Sequence, residues 1–316
     1  MSLSMNERAA ALVDAMVADS DALGIKVRTL ESGARVVDCG TEARGGLEAG
    51  FGFAGACMGG IGRIDSVPVT VGERTWPGVA VAADDPATAC LAAQYAGWKL
   101  EHDDFFAMAS GPGRALARAE DLFDELAWHE QAARAVLCLE TAQDPPAEIV
   151  DKVAQRCGVD ASAVTFLIAR TASICGSVQI SARVVETALH KLHELGVDPA
   201  RIRQGWGCCP IAPVAKNDPA AIGRTNDAVL YGGTVHLWIE GADDEVADLA
   251  SRLPSGASDA FGTPFGELLE AADWNFYDID PMLFSPAAAT LTSTESGRAH
   301  HGGGLAPDVL ERSFTS

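Results

Sequence analysis

Arg183 and Glu186 stand three residues apart within the run GSVQISARVVET at 176–187, and a guanidinium beside a carboxylate at that spacing can do acid–base chemistry. From Val178 onward, Val178, Ala182, Val185, Leu189 and Leu192 recur at helical spacing and form one apolar stripe. Gln179, Arg183, Glu186, His190 and His193 fall on the next arc of the same predicted helix. The cation would hold the Glu186 carboxyl ionised, and an ionised carboxylate can take a proton from water. The plainer reading is a solvated ion pair of little energetic consequence, and periodicity alone favours it.

Other positions offer weaker chemistry. Ser110 and Arg114 belong to the run Ser-Gly-Pro-Gly-Arg, which could present backbone N–H groups and a guanidinium to an anion at a helix start, or could be a plain turn with a helix cap. Lys191 is a second candidate for a local basic patch. Glu140 closes a strand-like run and Asp84 follows another, and strand ends are where open sheets place ligand-contacting residues; a solvated end for Glu140 and a turn cap for Asp84 are the alternatives. Thr225, Asn226 and Asp227 sit where a loop is predicted to meet a strand, and Ser177 sits in the turn before the predicted helix that carries Arg183 and Glu186. Residues 50–55 spell G-x-G-x-x-G, but the run continues into further glycines and has no acidic residue at the right distance, so a dinucleotide site is rejected. Gly176-Ser177 lacks the trailing glycine of a nucleophile elbow.

The elements that must position these residues alternate between strand and helix. Residues 5–23 read as helix, followed by strands 27–30 and 34–39 around a Glu-Ser-Gly turn. Residues 45–62 hold eight glycines and are predicted to be irregular, ligand-lining backbone rather than helix. Strands are predicted at 79–83, 135–139 and 165–169, short helices at 87–96 and 111–118, and a helix after Pro146. Prolines 210, 213 and 219 mark a long loop over 205–223, after which 227–231 and 234–240 read as strands and 243–253 as a surface helix. The tail after Phe284 reads as polar and Gly-rich.

With 44 acidic against 23 basic residues the formal charge is -21, which argues against nucleic acid and against an anionic membrane face. No apolar run approaches the roughly 20 residues that span a bilayer, and the N-terminal helix is interrupted by Asn6, Glu7, Arg8 and Asp14, unlike a signal peptide. A cytoplasmic location is expected. The eight cysteines form no C-x-x-C pattern and read as buried thiols; no role follows for the adjacent Cys208 and Cys209, and no metal site for His300 and His301.

The run at 176–187 resembles, residue for residue, the signature of the methenyltetrahydromethanopterin cyclohydrolases. The resemblance continues at 45–62 (GGLEAGFGFAGACMGGIG), 84–98 (DDPATACLAAQYAGW), 104–115 (DFFAMASGPGRA) and 136–140 (VLCLE). It extends through 210–215 (PIAPVA), 223–234 (GRTNDAVLYGGT), 263–267 (TPFGE) and 284–287 (FSPA). It implies a mixed α/β fold with a large mixed sheet, a pocket enclosed between two domains, and a homotrimer; the length of 316 residues and the run of elements place those domains at 1–129 and 130–316. It also implies reversible hydrolysis of the N5,N10-methenyl coenzyme, or its dephospho form, to the N5-formyl compound, without metal or other cofactor. Glu186 would be the general base and Arg183 its partner, with Glu140, Asp84, Ser110, Arg114, Ser177, Lys191, Thr225, Asn226 and Asp227 as substrate contacts. The same pair would serve a folate-type pterin, and a non-catalytic pterin carrier would do without Glu186. Whether the pathway runs toward formaldehyde oxidation or methane formation is left open.

Overall fold

The computed structural model describes residues 4–126, 128–275 and 278–315. The mixed α/β class is borne out: two six-stranded sheets each combine parallel and antiparallel neighbours. The chain divides into two compact units, one holding residues up to Arg63 together with Thr88–Gln179, the other Ile64–Ala87 and residues from Ile180 on. The third passage of the chain from one unit to the other falls inside the signature run, between Gln179 and Ile180.

The sheet of the first unit runs Lys26–Thr29, Arg35–Gly40, Val164–Ala169, Ala135–Glu140, Phe105–Ser110, Trp98–His102. Its three central strands are parallel, and their C-terminal ends come level because Gly40 and Glu140 both register with Ala169. Parallel strands need cover on both faces. Period-two alternation sends Val36, Leu137 and Phe166 to one face with Ile149 and Val153 of the Ala147–Cys157 helix, and Val37, Val136 and Leu167 to the other. The Met5–Ala18 and Leu47–Cys57 helices cover that second face through Ala9, Val13, Ala49 and Phe53.

Leu47–Cys57 corrects the expectation of irregular backbone over 45–62. Each helical glycine costs about 1 kcal/mol against alanine. Close packing offsets it here: a Cβ on Gly50 would meet Val178 at 2.6 Å, and one on Gly52 would meet Met16 at 2.7 Å.

In the second unit the sheet order is Ala299–Gly303, Ala288–Ser293, Thr234–Ile239, Ile202–Pro210, Arg74–Ala83, Arg63–Val71. Two sequence expectations fail. Ile202–Pro210 is a strand, where 205–223 was read as loop, and Asp218–Gly232 is one 15-residue helix, where 227–231 was read as strand. The helix start obeys a rule that the proline pattern obscured: Asn217 caps it by accepting from the N–H of Ala220 at 3.0 Å, and Pro219 occupies the first turn, where its missing N–H costs nothing. The segment after Phe284 supplies two strands and the Pro307–Thr315 helix rather than a tail. Among the described residues no helix is long and apolar enough to cross a membrane.

Candidate active site

The signature run is not one helix. Ile174–Ser181 ends, Ala182 and Arg183 turn, and Val184–Glu194 begins, with Arg183 at φ −84° and ψ 4°. The turn leading in is tight. Ser173 Oγ accepts from the N–H of Gly176 at 2.9 Å, and a Cβ on Gly176 would lie 2.3 Å from the Arg170 carbonyl oxygen, so only glycine fits. The Arg183 carbonyl accepts from the N–H and the hydroxyl of Thr187, at 2.8 and 3.1 Å, and so starts the second helix. Val184, Val185, Leu189 and Leu192 are wholly buried, and Gly205 and Gly207 let this helix lie close on the sheet: a Cβ there would meet Val185 at 2.8 Å and Val184 at 3.0 Å.

This places Glu186 in the first helical turn, where the helix dipole favours negative charge. Arg183 Nη1 lies 3.6 Å from Glu186 Oε2, with side chains only 13% and 6% exposed. The pair is therefore not the solvated surface pair that periodicity favoured. A buried carboxylate with one cation beside it is costly to leave uncompensated, and a water molecule reaching it would meet a strong acceptor.

Glu140 lies at the end of its strand, level with the other parallel strand ends. Its carboxylate accepts from the Thr171 hydroxyl and, at 3.0 Å, from the Gln179 side-chain amide. Two neutral donors fix its direction without cancelling its charge. Nearby in the same unit, Asp38 accepts from the N–H groups of Gly40, Thr41, Glu42 and Ala43 at 2.7–3.1 Å. Burial opposes its ionisation, but those four donors outweigh it and hold the carboxyl below its ordinary range. Asp38 and Thr171 escaped the sequence reading, which took no account of a strand-end Asp followed by a turn of free N–H groups.

The remaining predicted contacts are dispersed, and several have tasks of their own. Arg114 is fully buried; it pairs with Glu120 and donates to the carbonyl oxygens of Leu91, Ala92 and Ala93 at 3.1–3.4 Å, closing the end of the Ala87–Gln94 π-helix. Lys191 is 1% exposed and donates to the carbonyl oxygens of Pro254 and Met282; burial lowers its pKa to about 8, against the partial support of Asp280. The expectation of a basic patch built from these two is thus corrected: both cations are spent inside. Thr225 and Asn226 donate back to their own helix, to Ala221 and Ile222 at 2.8 and 2.9 Å. Asp227 accepts from the N–H of Phe265 at 2.7 Å, and burial pushes its carboxyl up to about 7. Ser110 and Ser177 are buried, whereas Asp84 is exposed and accepts from the Gln204 side-chain amide at 3.5 Å. Cys208 and Cys209 are strand neighbours on opposite faces, the first beside the Thr234 hydroxyl at 3.1 Å and the second buried. Among the described residues no three His, Cys, Asp or Glu cluster as metal ligands would.

A family model described as Cyclohydrolase (MCH) matches residues 4–314. The chain is similar to a methenyltetrahydromethanopterin cyclohydrolase of Xanthobacter autotrophicus, 47% identical across 99% of this chain and 93% of the relative. Proteins of that same name from Methylobacillus flagellatus and Methanosarcina mazei are 44% and 38% identical over 98% and 99% of this chain, and over 95% and 98% of their own lengths.

Proposed function

Because the chain belongs to the cyclohydrolase (MCH) family, we propose that it reversibly hydrolyses N5,N10-methenyltetrahydromethanopterin, or the dephospho coenzyme, to the N5-formyl compound, with Glu186 as general base. The observation that carries the assignment is the buried pair, with Arg183 Nη1 at 3.6 Å from Glu186 Oε2. The methenyl carbon lies between two nitrogens of an amidinium cation and is already electrophilic. What the protein must supply is an oriented water, an acceptor for its proton and a proton for the leaving nitrogen. Glu186 takes one proton as the water oxygen bonds to carbon; that proton goes to N10 as the carbon–N10 bond breaks, while the remaining hydroxyl proton is released to solvent as the carbonyl forms, leaving the formyl group on N5. Arg183 keeps the carboxylate in place and compensates its charge. Glu140, aimed by Thr171 and Gln179, is suited to accept N–H groups of the pterin ring and to favour a cationic substrate. The chemistry calls for no metal or second cofactor. Homotrimeric assembly belongs to the same reading and rests on the family resemblance alone; a cytoplasmic location rests on the hydropathy pattern of the sequence.

The test follows the methenyl absorbance with the tetrahydromethanopterin coenzyme and, in parallel, a methenylfolate. Glu186→Gln should bind coenzyme nearly as well as the parent while turnover falls about a hundredfold or more, the usual scale for losing a general base. Near-normal turnover in that variant would end the assignment, and preferential use of the folate would reassign the substrate.

A further inference from the structure

Asp38 has no part in the chemistry described so far, and its wholly buried carboxylate cannot itself touch a coenzyme. Its surroundings lead to Glu140. The strand Arg35–Gly40 shifts register between Asp38 and Gly40, a bulge beside Ala169, the residue with which Glu140 also pairs. There the carboxylate gathers a turn. Its Oδ1 accepts from the N–H groups of Gly40 and Thr41 at 3.0 and 2.7 Å, and its Oδ2 from those of Glu42 and Ala43 at 2.9 and 3.1 Å. Each oxygen thus fixes one half of the turn.

Three ties run from this turn and its carboxylate to the groups that hold Glu140. The Thr41 hydroxyl donates at 3.1 Å to the carbonyl oxygen of Thr141, the residue after Glu140, whose own N–H donates to the Ala169 carbonyl. Arg28, with Nη1 3.5 Å from Asp38 Oδ2, donates through Nε at 3.0 Å to Asp144, farther along the same loop. The third tie is steric. Gly40 lies against Ser173, where a Cβ would stand 2.6 Å from Oγ. That hydroxyl donates to the Arg170 carbonyl at 2.7 Å and accepts from the N–H of Gly176, and so sets the start of Ile174–Ser181, the helix from which Gln179 reaches Glu140. Thr171, the other donor to Glu140, lies between Arg170 and Ser173. The turn therefore braces both the loop behind Glu140 and the loop that carries its donors.

We propose that Asp38 is a positioning residue for substrate capture: by gathering the N–H groups of residues 40–43 it holds the Glu140 carboxylate at the angle that receives the cationic coenzyme. The proposal rests on the reading of Glu140 as a substrate contact. An amide in place of the Asp38 carboxylate keeps the shape but has one oxygen, so its NH2 group would face two N–H donors and one half of the turn must open. Charge-assisted hydrogen bonds, the stronger kind, are lost with it.

The test measures kcat and KM separately, on the full chain with the methenyltetrahydromethanopterin coenzyme, for Asp38→Asn, Glu140→Ala and the double variant. Glu140→Ala should raise KM. Asp38→Asn should raise KM about tenfold, the scale of one hydrogen bond to a charged group, with kcat nearly unchanged. Added to Glu140→Ala it should change KM no further, because a side chain that is absent cannot be misaimed. A merely structural role leaves a different trace: fewer active molecules, and so a lower apparent kcat at unchanged KM. Should Asp38→Asn fail to fold, Thr41→Val decides, since it keeps all four N–H bonds to Asp38, removes only the tie to Thr141 and should raise KM in the same direction. Unchanged KM in a folded Asp38→Asn, or in Thr41→Val, would overturn the proposal, as would a rise in KM when Asp38→Asn is added to Glu140→Ala. Unchanged KM in Glu140→Ala would instead end the reading of Glu140 and take the proposal with it.

Discussion

Glu186 and Arg183 owe their interaction to a turn. Arg183 precedes the helix that carries Glu186 in its first turn, and both side chains are nearly shielded from water. Arg183→Ala leaves a buried carboxylate without that cation, a change that typically costs about 3–5 kcal/mol. The variant should therefore melt at lower temperature as well as lose turnover. Arg183→Lys keeps the charge and should recover most of the melting temperature while recovering turnover only in part, because an ammonium cannot reproduce the planar guanidinium. An unchanged melting temperature in the alanine variant would show that the pair is not energetically coupled. Asp227 gives a pH prediction of definite sign. Its folded-state value of about 7 lies above the ordinary 3.8, so the folded protein holds a proton that the unfolded chain has released, and stability falls as pH rises through that window. Asn keeps an oxygen for the Phe265 N–H, so Asp227→Asn should lose less stability than the parent between pH 5 and pH 8. Denaturant midpoints at the two values decide it; parallel losses would mean that another group titrates.

At the scale of elements, the turn between Arg170 and Gly176 sets the entry to the signature helix. Gly176→Ala forces a methyl against two carbonyl oxygens, of Arg170 and Thr171, that cannot recede cheaply. It should therefore depress both stability and turnover, whereas Gly158→Ala, with nothing within 4 Å, should depress neither strongly despite its positive φ. Equal effects on the two melting curves would refute this account. Much of the first unit could be read from its residues. The hairpin 26–40, the strands 135–140 and 164–169 and the helix after Pro146 follow from period-two and period-3.6 patterns with turn residues between them. The helix 47–57 was missed because local propensity counts glycine as loss, while Val178 and Met16 reward its absence of a side chain from a distance in sequence. The same blindness turned the strand 202–210 into loop, since Gly205 and Gly207 have their reason in the helix that lies on them. Of the proposed site, the pair at 183 and 186 and the strand-end position of Glu140 were legible. The donors that aim Glu140 were not, because Thr171 and Gln179 reach it across 31 and 39 residues.

For the whole molecule, charge governs encounter. The coenzyme that the family resemblance implies carries an acidic tail, which a chain with net charge -21 repels, and the two cations that could have formed a local basic patch, Arg114 and Lys191, are buried in structural roles. Salt screens such repulsion over about 8 Å at physiological ionic strength. Moderate potassium chloride should therefore lower the apparent KM of the tetrahydromethanopterin coenzyme; a KM that climbs steadily from low salt would reveal an attractive entrance. The order in which the chain visits its two units has a consequence for any attempt to cut it. The second unit borrows residues 64–87 from the N-terminal part of the sequence, and the strand 74–83 pairs along Ile202–Pro210 from Gly78–Pro210 to Ala83–Gly205. A fragment beginning at Ile180 would lack strand 74–83 and leave Ile202–Pro210 as an unprotected edge, with its backbone donors and acceptors open to any passing chain. Expressed alone it should aggregate, and co-expression with residues 1–179 should rescue it, so that the gene tolerates a break at the signature only if both halves are present when the sheet closes.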